Sequence, residues 1–258
     1  MANASADSPF GARLRQWRAL RGVSQLALAD KVGSTARHLS FLETGPSRPS
    51  RQMVLRLGEA LDVSLRERNQ LLHAAGLPAV YPEAGVDSAD LAPFRAALDS
   101  LLRAHLPYPA MVLDRHWNVL LANTACTRLY GVDLVGTNLV RQFLADPATA
   151  DTVVNWAEVA WAGLERLRHQ RDRSPSDQHL ADLVALAEQA LAGIPRPAQP
   201  PPDLVLCPWF RLGDRIVKTI GMAARFDATA EITLDELRIE LIYPLDEAGE
   251  QFFRDAGR

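Results

Sequence analysis

Apolar residues recur every three or four positions through the first third of the chain, and nearer every second position in its last stretch. The first pattern predicts helices and the second strands. Ser8 before Pro9 marks a helix start, and Leu14, Trp17 and Leu20 give a helix from about Pro9 to Arg21 its inward stripe. Ser24 caps a second helix beginning at Gln25, with Leu26, Ala29 and Val32 as its apolar face. Gly33 lets the chain turn, and Thr35 caps a third helix, Ala36 to about Glu43, with Leu39 and Leu42 inward. Gly45 stops it. Ser50 opens a fourth helix striped by Val54, Leu57 and Leu61. Ser64 and Glu67, at capping-box spacing, open a fifth that ends at Gly76. Residues 1–80 therefore predict a five-helix domain whose second and third helices have helix-turn-helix geometry.

A linker from about Leu77 to Ala89 carries Pro78, Pro82 and Gly85, and its last part, 81–89, separates this domain from a second over residues 90–258. Leu91 to Ala104 is an amphipathic helix. Ala110 to Asp114 and Val119 to Ala122 read as strands joined at Arg115–Asn118. Helices follow from Asn123-Thr124 and near Asn138 to Leu144. Asp151 to Arg168 reads as one long helix with apolar residues on several sides, which predicts burial on more than one side. RDRSPSD is a loop, Asp177 caps a helix through Leu191, and Pro195 to Asp203 is a proline-rich surface connection. Leu204 to Leu212, a turn at Gly213-Asp214, and Arg215 to Phe226 form a hairpin. Leu237 to Tyr243 alternates as a half-buried strand. The class is multidomain, α then α+β.

With 48% hydrophobic residues the 258-residue chain can build proper cores. It has no apolar run long enough to cross a membrane, and MANASADSPF lacks the regions of a signal peptide, so a cytoplasmic protein is expected. Cys126 and Cys207 form no CxxC or Cys/His cluster, so no metal site is expected, and Cys126 reads as a buried small residue. Residues 1–80 hold 11 Lys/Arg and 6 Asp/Glu, and the remainder 17 and 25. A basic head on an acidic body suits a head that meets phosphate.

Ser24-Gln25, Ala29, Gly33, Thr35, Leu39, Leu42-Glu43, Gly45 and Pro49 resemble the helix-turn-helix of the phage-repressor (Cro/XRE-like) class. The longer string His38 to Gly76 resembles the MmyB-like subfamily, in which such a head precedes a PAS-like effector domain. YPAMVLDRHWNVLLAN, FLADP…VVNWAEVAW and ITLDELRIELIYPLDE are similar to segments of that effector domain. The resemblance, not the periodicity, selects a PAS-like antiparallel sheet with helices. It implies a sequence-specific transcription regulator on a double-stranded DNA operator, and a fatty-acid-like ligand; one recognition helix reads too few base pairs for an operator, so a homodimer is expected.

Carried onto this sequence, the motif places Ala36, Arg37, His38 and Phe41 at base edges. Arg37 is the best base reader, since a guanidinium bonds guanine O6 and N7 together. Gln25, Thr35, Ser40 and Arg48 face phosphate by motif position, and Arg51 has two uses open to it, joining them or standing in solvent. Phe41 has two uses open to it, contact with a thymine methyl or packing against its own domain. Glu43 reads as structural, paired with a nearby Arg. The second domain shows no catalytic constellation: Asp114 and His116 share a strand face but have no third partner or nucleophile, and no phosphate loop or cofactor motif is present. No enzyme is expected. Its surplus of large apolar residues suggests a cavity between sheet and helices, lined by Met111, Leu113, Trp117, Trp156, Trp161, Met222 and Phe226, for a small apolar ligand. The rival readings are a ligand-free dimerisation or protein-interaction module, and a fused enzyme.

Overall fold

The computed structural model describes residues 8–144, 147–197, 207–227 and 229–256. Five helices open it: α1 (Pro9–Leu20), α2 (Gln25–Lys31), α3 (Ala36–Thr44), α4 (Arg51–Ala60) and α5 (Leu65–Ala74). Each starts at a hydroxyl that accepts a hydrogen bond from the amide three residues on, from Ser8, Ser24, Thr35, Ser50 and Ser64, at 2.9 to 3.4 Å. Such caps are worth about 1 kcal/mol each. Leu14, Trp17, Leu28, Ala29, Val32, Leu39, Leu42, Val54, Leu57 and Leu61 fill one core with Leu71 and Leu72 of α5. Two expected core residues lie outside it. Leu26 is 71% exposed, because α2 buries Leu28, Ala29 and Val32, and a residue two positions from Leu28 points about 200° away. Leu20 is the last residue of α1, past the packed stripe of Phe10, Leu14 and Trp17, and is 46% exposed.

The chain divides into two units. The first runs to Glu83 and includes Asp172–Ser174 and Ala230–Ile232; the second is the remainder. In the second, α6 (Ala92–Ala104) leads into β1 (Ala110–Leu113) and β2 (Val119–Ala122). Next come α7 (Thr124–Tyr130), α8 (Leu139–Leu144), α9 (Pro147–Thr152), α10 (Trp156–Arg173) and α11 (Gln178–Ala190). The chain ends with β3 (Trp209–Leu212), β4 (Arg215–Ala224), α12 (Ile232–Glu236), β5 (Arg238–Pro244) and α13 (Glu247–Ala256). The strands form one antiparallel sheet in the order β2-β1-β5-β4-β3, a PAS-like arrangement. Side chains alternate between its faces. Ala110, Val112 and Ile239 pack on one side with Leu98 and Leu102 of α6 and with Leu234. Met111, Arg238, Glu240 and Ile242 point to the other side, toward α7 to α10.

The expected helix from Asp151 to Arg168 is two helices with a break between them. Val153 leaves the helix to bridge Phe210, and the Val154 amide donates to Trp209 O at 2.8 Å. Asn155 completes the join: its Nδ2 donates to Cys207 O and its Oδ1 accepts from the Trp209 amide, both at 2.9 Å. The break thus adds a strand-like link at the β3 edge, and α10 runs on into the expected loop as far as Arg173. The α12 and α13 helices are additions to the predicted elements. Residues 198–203 of the proline-rich connection, and 204–206 at the start of the predicted hairpin, lie outside the described residues.

Candidate functional site

In the first unit, Leu39 and Leu42 anchor α3 while Arg37, Phe41 and Thr44 stay exposed. Ala36, His38 and Ser40 are half-buried. The Arg37 guanidinium lies 5.3 Å from the centroid of the Phe41 ring, one turn along the helix. Phe41 therefore serves as a platform that holds Arg37 over the helix surface. Thr35, Arg48 and Arg51 are exposed around the same helix. Gln25 is committed inward: its Nε2 donates to Glu43 Oε2 at 2.7 Å.

Glu43 is 2% exposed and also receives Arg18 through two bonds, Nε at 2.7 Å and Nη2 at 3.1 Å. Burial alone would raise its pKa, but the bonds from Arg18 and Gln25 outweigh that and hold it below the ordinary carboxylate range. The fork joins α1, α2 and α3 through one carboxylate. Arg15 adds a bond to the Glu43 carbonyl at 2.9 Å. Gly11 permits this approach, since a Cβ there would lie 2.3 Å from the same oxygen.

In the second unit a cavity of about 560 Å³ lies between the sheet and α7 to α10. Met111, Phe210, Leu212, Gly221, Ala223 and Ile242 line it from the sheet; Leu129, Leu139, Val140 and Phe143 line it from the helices. From α10 come Val159, Ala162, Gly163, Arg166 and Leu167, the i, i+3, i+4, i+7, i+8 stripe that a helix ordinarily presses into a core. The volume is of the size that holds one small molecule.

One part of this wall is charged. Arg238 Nε lies 2.6 Å from Glu240 Oε1, and Arg166 Nη1 lies 3.9 Å from the same oxygen. Two guanidiniums share one carboxylate. Both stand near the Trp117 ring, at 5.6 Å for Arg166 and 5.4 Å for Arg238. Burial, and then repulsion from Arg238, push the Arg166 pKa down despite Glu240. Yet 46% of the Arg166 side chain is exposed. Arg166 is among the residues that line the cavity. Trp117 has φ +68°, a left-handed conformation costly for a bulky residue. It is held there by its indole Nε1 bond to Gln170 at 2.9 Å and by Leu139, whose amide donates to Trp117 O.

Residues 14–68 match the helix-turn-helix family model, and residues 94–256 match that of the MmyB-like transcription regulator ligand binding domain. The second match alone covers more than half of the chain. The chain belongs to this family. No curated protein sequence matches it. The protein is a DNA-binding transcription regulator with a ligand-binding domain.

Of the expected pocket residues of the regulator, Met111 and Trp117 line the cavity and five do not. Leu113 is packed with Val119, Cys126 and Leu134. Trp156 caps the end of the cavity-facing stripe of α10, its Nε1 donating to Phe143 O at 3.0 Å. Trp161 lies off that stripe, with Arg196 over its ring. Met222 alternates with the lining residues Gly221 and Ala223, so it points away from the cavity and is 56% exposed. Phe226 lies beyond β4, edge-on to Phe94 at 5.5 Å. The Asp114–His116 pair is no dyad: Asp114 ties the hairpin loop through the amides of His116 and Asn118, and His116 faces Asp177 and stacks on His179. Burial pushes the Cys126 thiol up to about 12, as for an unreactive core residue.

Sequence reasoning missed Arg166, Arg238, Glu240 and Gly163. The alternation Arg238-Ile239-Glu240-Leu241 reads as a strand with one wet face; here that face is the charged wall of a cavity.

Proposed function

We propose that the regulator binds an amphipathic acid of the fatty-acid type in this cavity, and that occupancy alters its grip on DNA. The observation that carries this is Arg166, an under-neutralised guanidinium on the wall of a largely apolar cavity. An acidic head there would complete what Glu240 only half supplies, and an apolar tail would fill the remaining space. The regulator acts in the cytoplasm as a homodimer, since one recognition helix spans too few base pairs for an operator. Arg37 reads a base. Thr35, Ser40, Arg48 and Arg51 hold phosphate, and Ala36, His38 and Phe41 complete the groove face. No cofactor takes part.

Native mass spectrometry of gently purified protein tests the ligand and the subunit number together. A dimer carrying an acidic adduct, which Arg166→Met loses, is the expected result. Empty wild-type protein that no long-chain acid fills would leave the second unit a dimerisation or interaction module. For DNA, Arg37→Ala should cost on the order of 1–3 kcal/mol on the operator and relax preference at one position. A loss equal on random DNA would make Arg37 a phosphate contact.

A further inference from the structure

Gly163 stands in the middle of α10, where glycine is less favourable than alanine because it frees the unfolded chain. Its backbone is ordinary helix, with no positive φ that would require glycine. A Cβ built on it meets nothing within 4 Å, so no close approach requires glycine either. Ala162 beside it is also small, and Gly221 and Ala223 of β4 line the same cavity from the sheet. The missing side chains leave empty space in the wall, on the same helical stripe as Arg166.

We propose that Gly163 is a specificity-determining residue, which widens the cavity near the acidic head so that it admits acids bearing a ring or branch beside the carboxylate. This rests on the reading that the cavity binds an amphipathic acid at Arg166. Gly163 and Arg166 are three residues apart, about 4.5 Å along the helix axis, so the wide place is close to the head and not at the far end of the tail. An unbranched chain leaves that space unfilled. A ring fills it and gains the contacts a void forfeits.

Two acids of twelve carbons separate these cases: dodecanoic acid, and 4-pentylcyclohexanecarboxylic acid, whose ring adjoins the carboxylate. Calorimetric titration of the full chain should find the ring acid bound at least as tightly as dodecanoic acid. Gly163→Leu should weaken the ring acid by about tenfold or more, the scale of a misplaced methylene or two in an apolar pocket, while dodecanoic acid changes far less. Gly163→Ala, which favours the helix, should shift the ratio in the same direction and stands in if the leucine variant does not fold. Wild-type preference for dodecanoic acid, or variants that change both affinities equally or neither, would overturn the role of Gly163 while leaving the acid site standing. Wild-type protein that binds neither acid would overturn both.

Discussion

Gly11 in α1 and Gly163 in α10 are both helical glycines, and they mark opposite ways of using a core. At Gly11 the missing side chain is contact: α1 lies on the backbone of α3, and a Cβ would meet Glu43 O at 2.3 Å. At Gly163 the missing side chain is space. The charges divide the same way. Glu43 is buried among Arg18 and Gln25, and its carboxylate accepts three hydrogen bonds from them. Arg166 has its one carboxylate, among the described residues, at 3.9 Å and already shared with Arg238. Here the DNA-binding unit is packed backbone to backbone and its carboxylate is paired, as suits a rigid reading head. The ligand-binding unit is hollow and holds an under-neutralised charge, as suits a receptor whose missing part arrives from outside.

Gly11→Ala is the hardest test of that contrast. Overpacking against backbone, which no rotamer change can relieve, should cost about 3 kcal/mol. Hydrogen exchange should show it as lost protection at Leu39 and Leu42 of α3, with the amides of β1 and β5 unchanged. Full protection in the variant would mean that the α1–α3 contact has slack. Glu43→Gln comes next, at about 2–3 kcal/mol, because it leaves Arg18, itself 20% exposed, without its counter-charge. The same carboxylate sets a pH dependence. Its folded pKa is lowered, so its stabilisation is present above the ordinary carboxylate range and is lost as pH falls through the lower folded value. Acid titration followed by NMR of α3 should show a step in wild type that Glu43→Gln lacks. An identical acid profile in both would assign the step elsewhere.

The filled unit was also the legible one. Each of its five helix starts is written locally, as a hydroxyl three residues before the amide it bonds, so Ser8, Ser24, Thr35, Ser50 and Ser64 could be read from neighbours alone. The pairing of Glu43 with an arginine was readable too, from the poor fit of a carboxylate at a phosphate surface. In the second unit the decisive partners are far apart in sequence. Asn155 breaks a helix because Cys207 and Trp209, more than fifty residues on, need its amide group. Periodicity cannot see that. Nor does alternation tell a wet strand face from a face on a cavity, so nothing in the sequence singles out Arg238 and Glu240, while the expected lining residue Met222 lies on the opposite face. The surplus of large apolar residues correctly suggested a cavity, but its walls are set by the small residues opposite: Gly163, Ala162, Gly221 and Ala223.

The smallest expected effect has the opposite sign. In ligand-free protein Gly163→Ala should stabilise the second unit by about 0.5–1 kcal/mol, because alanine reduces the freedom of the unfolded chain and favours the helix. The new methyl meets open space and so adds no clash to subtract. Chemical denaturation without ligand, followed by the fluorescence of Trp117, Trp156 and Trp161, measures it. A raised midpoint at unchanged slope is the expected result. Destabilisation would place Gly163 with Gly11, as a residue kept for packing, and the second unit would then be no hollower than the first. Stabilisation together with altered acid preference would mean that the chain forgoes helix stability at this one position for the shape of its ligand.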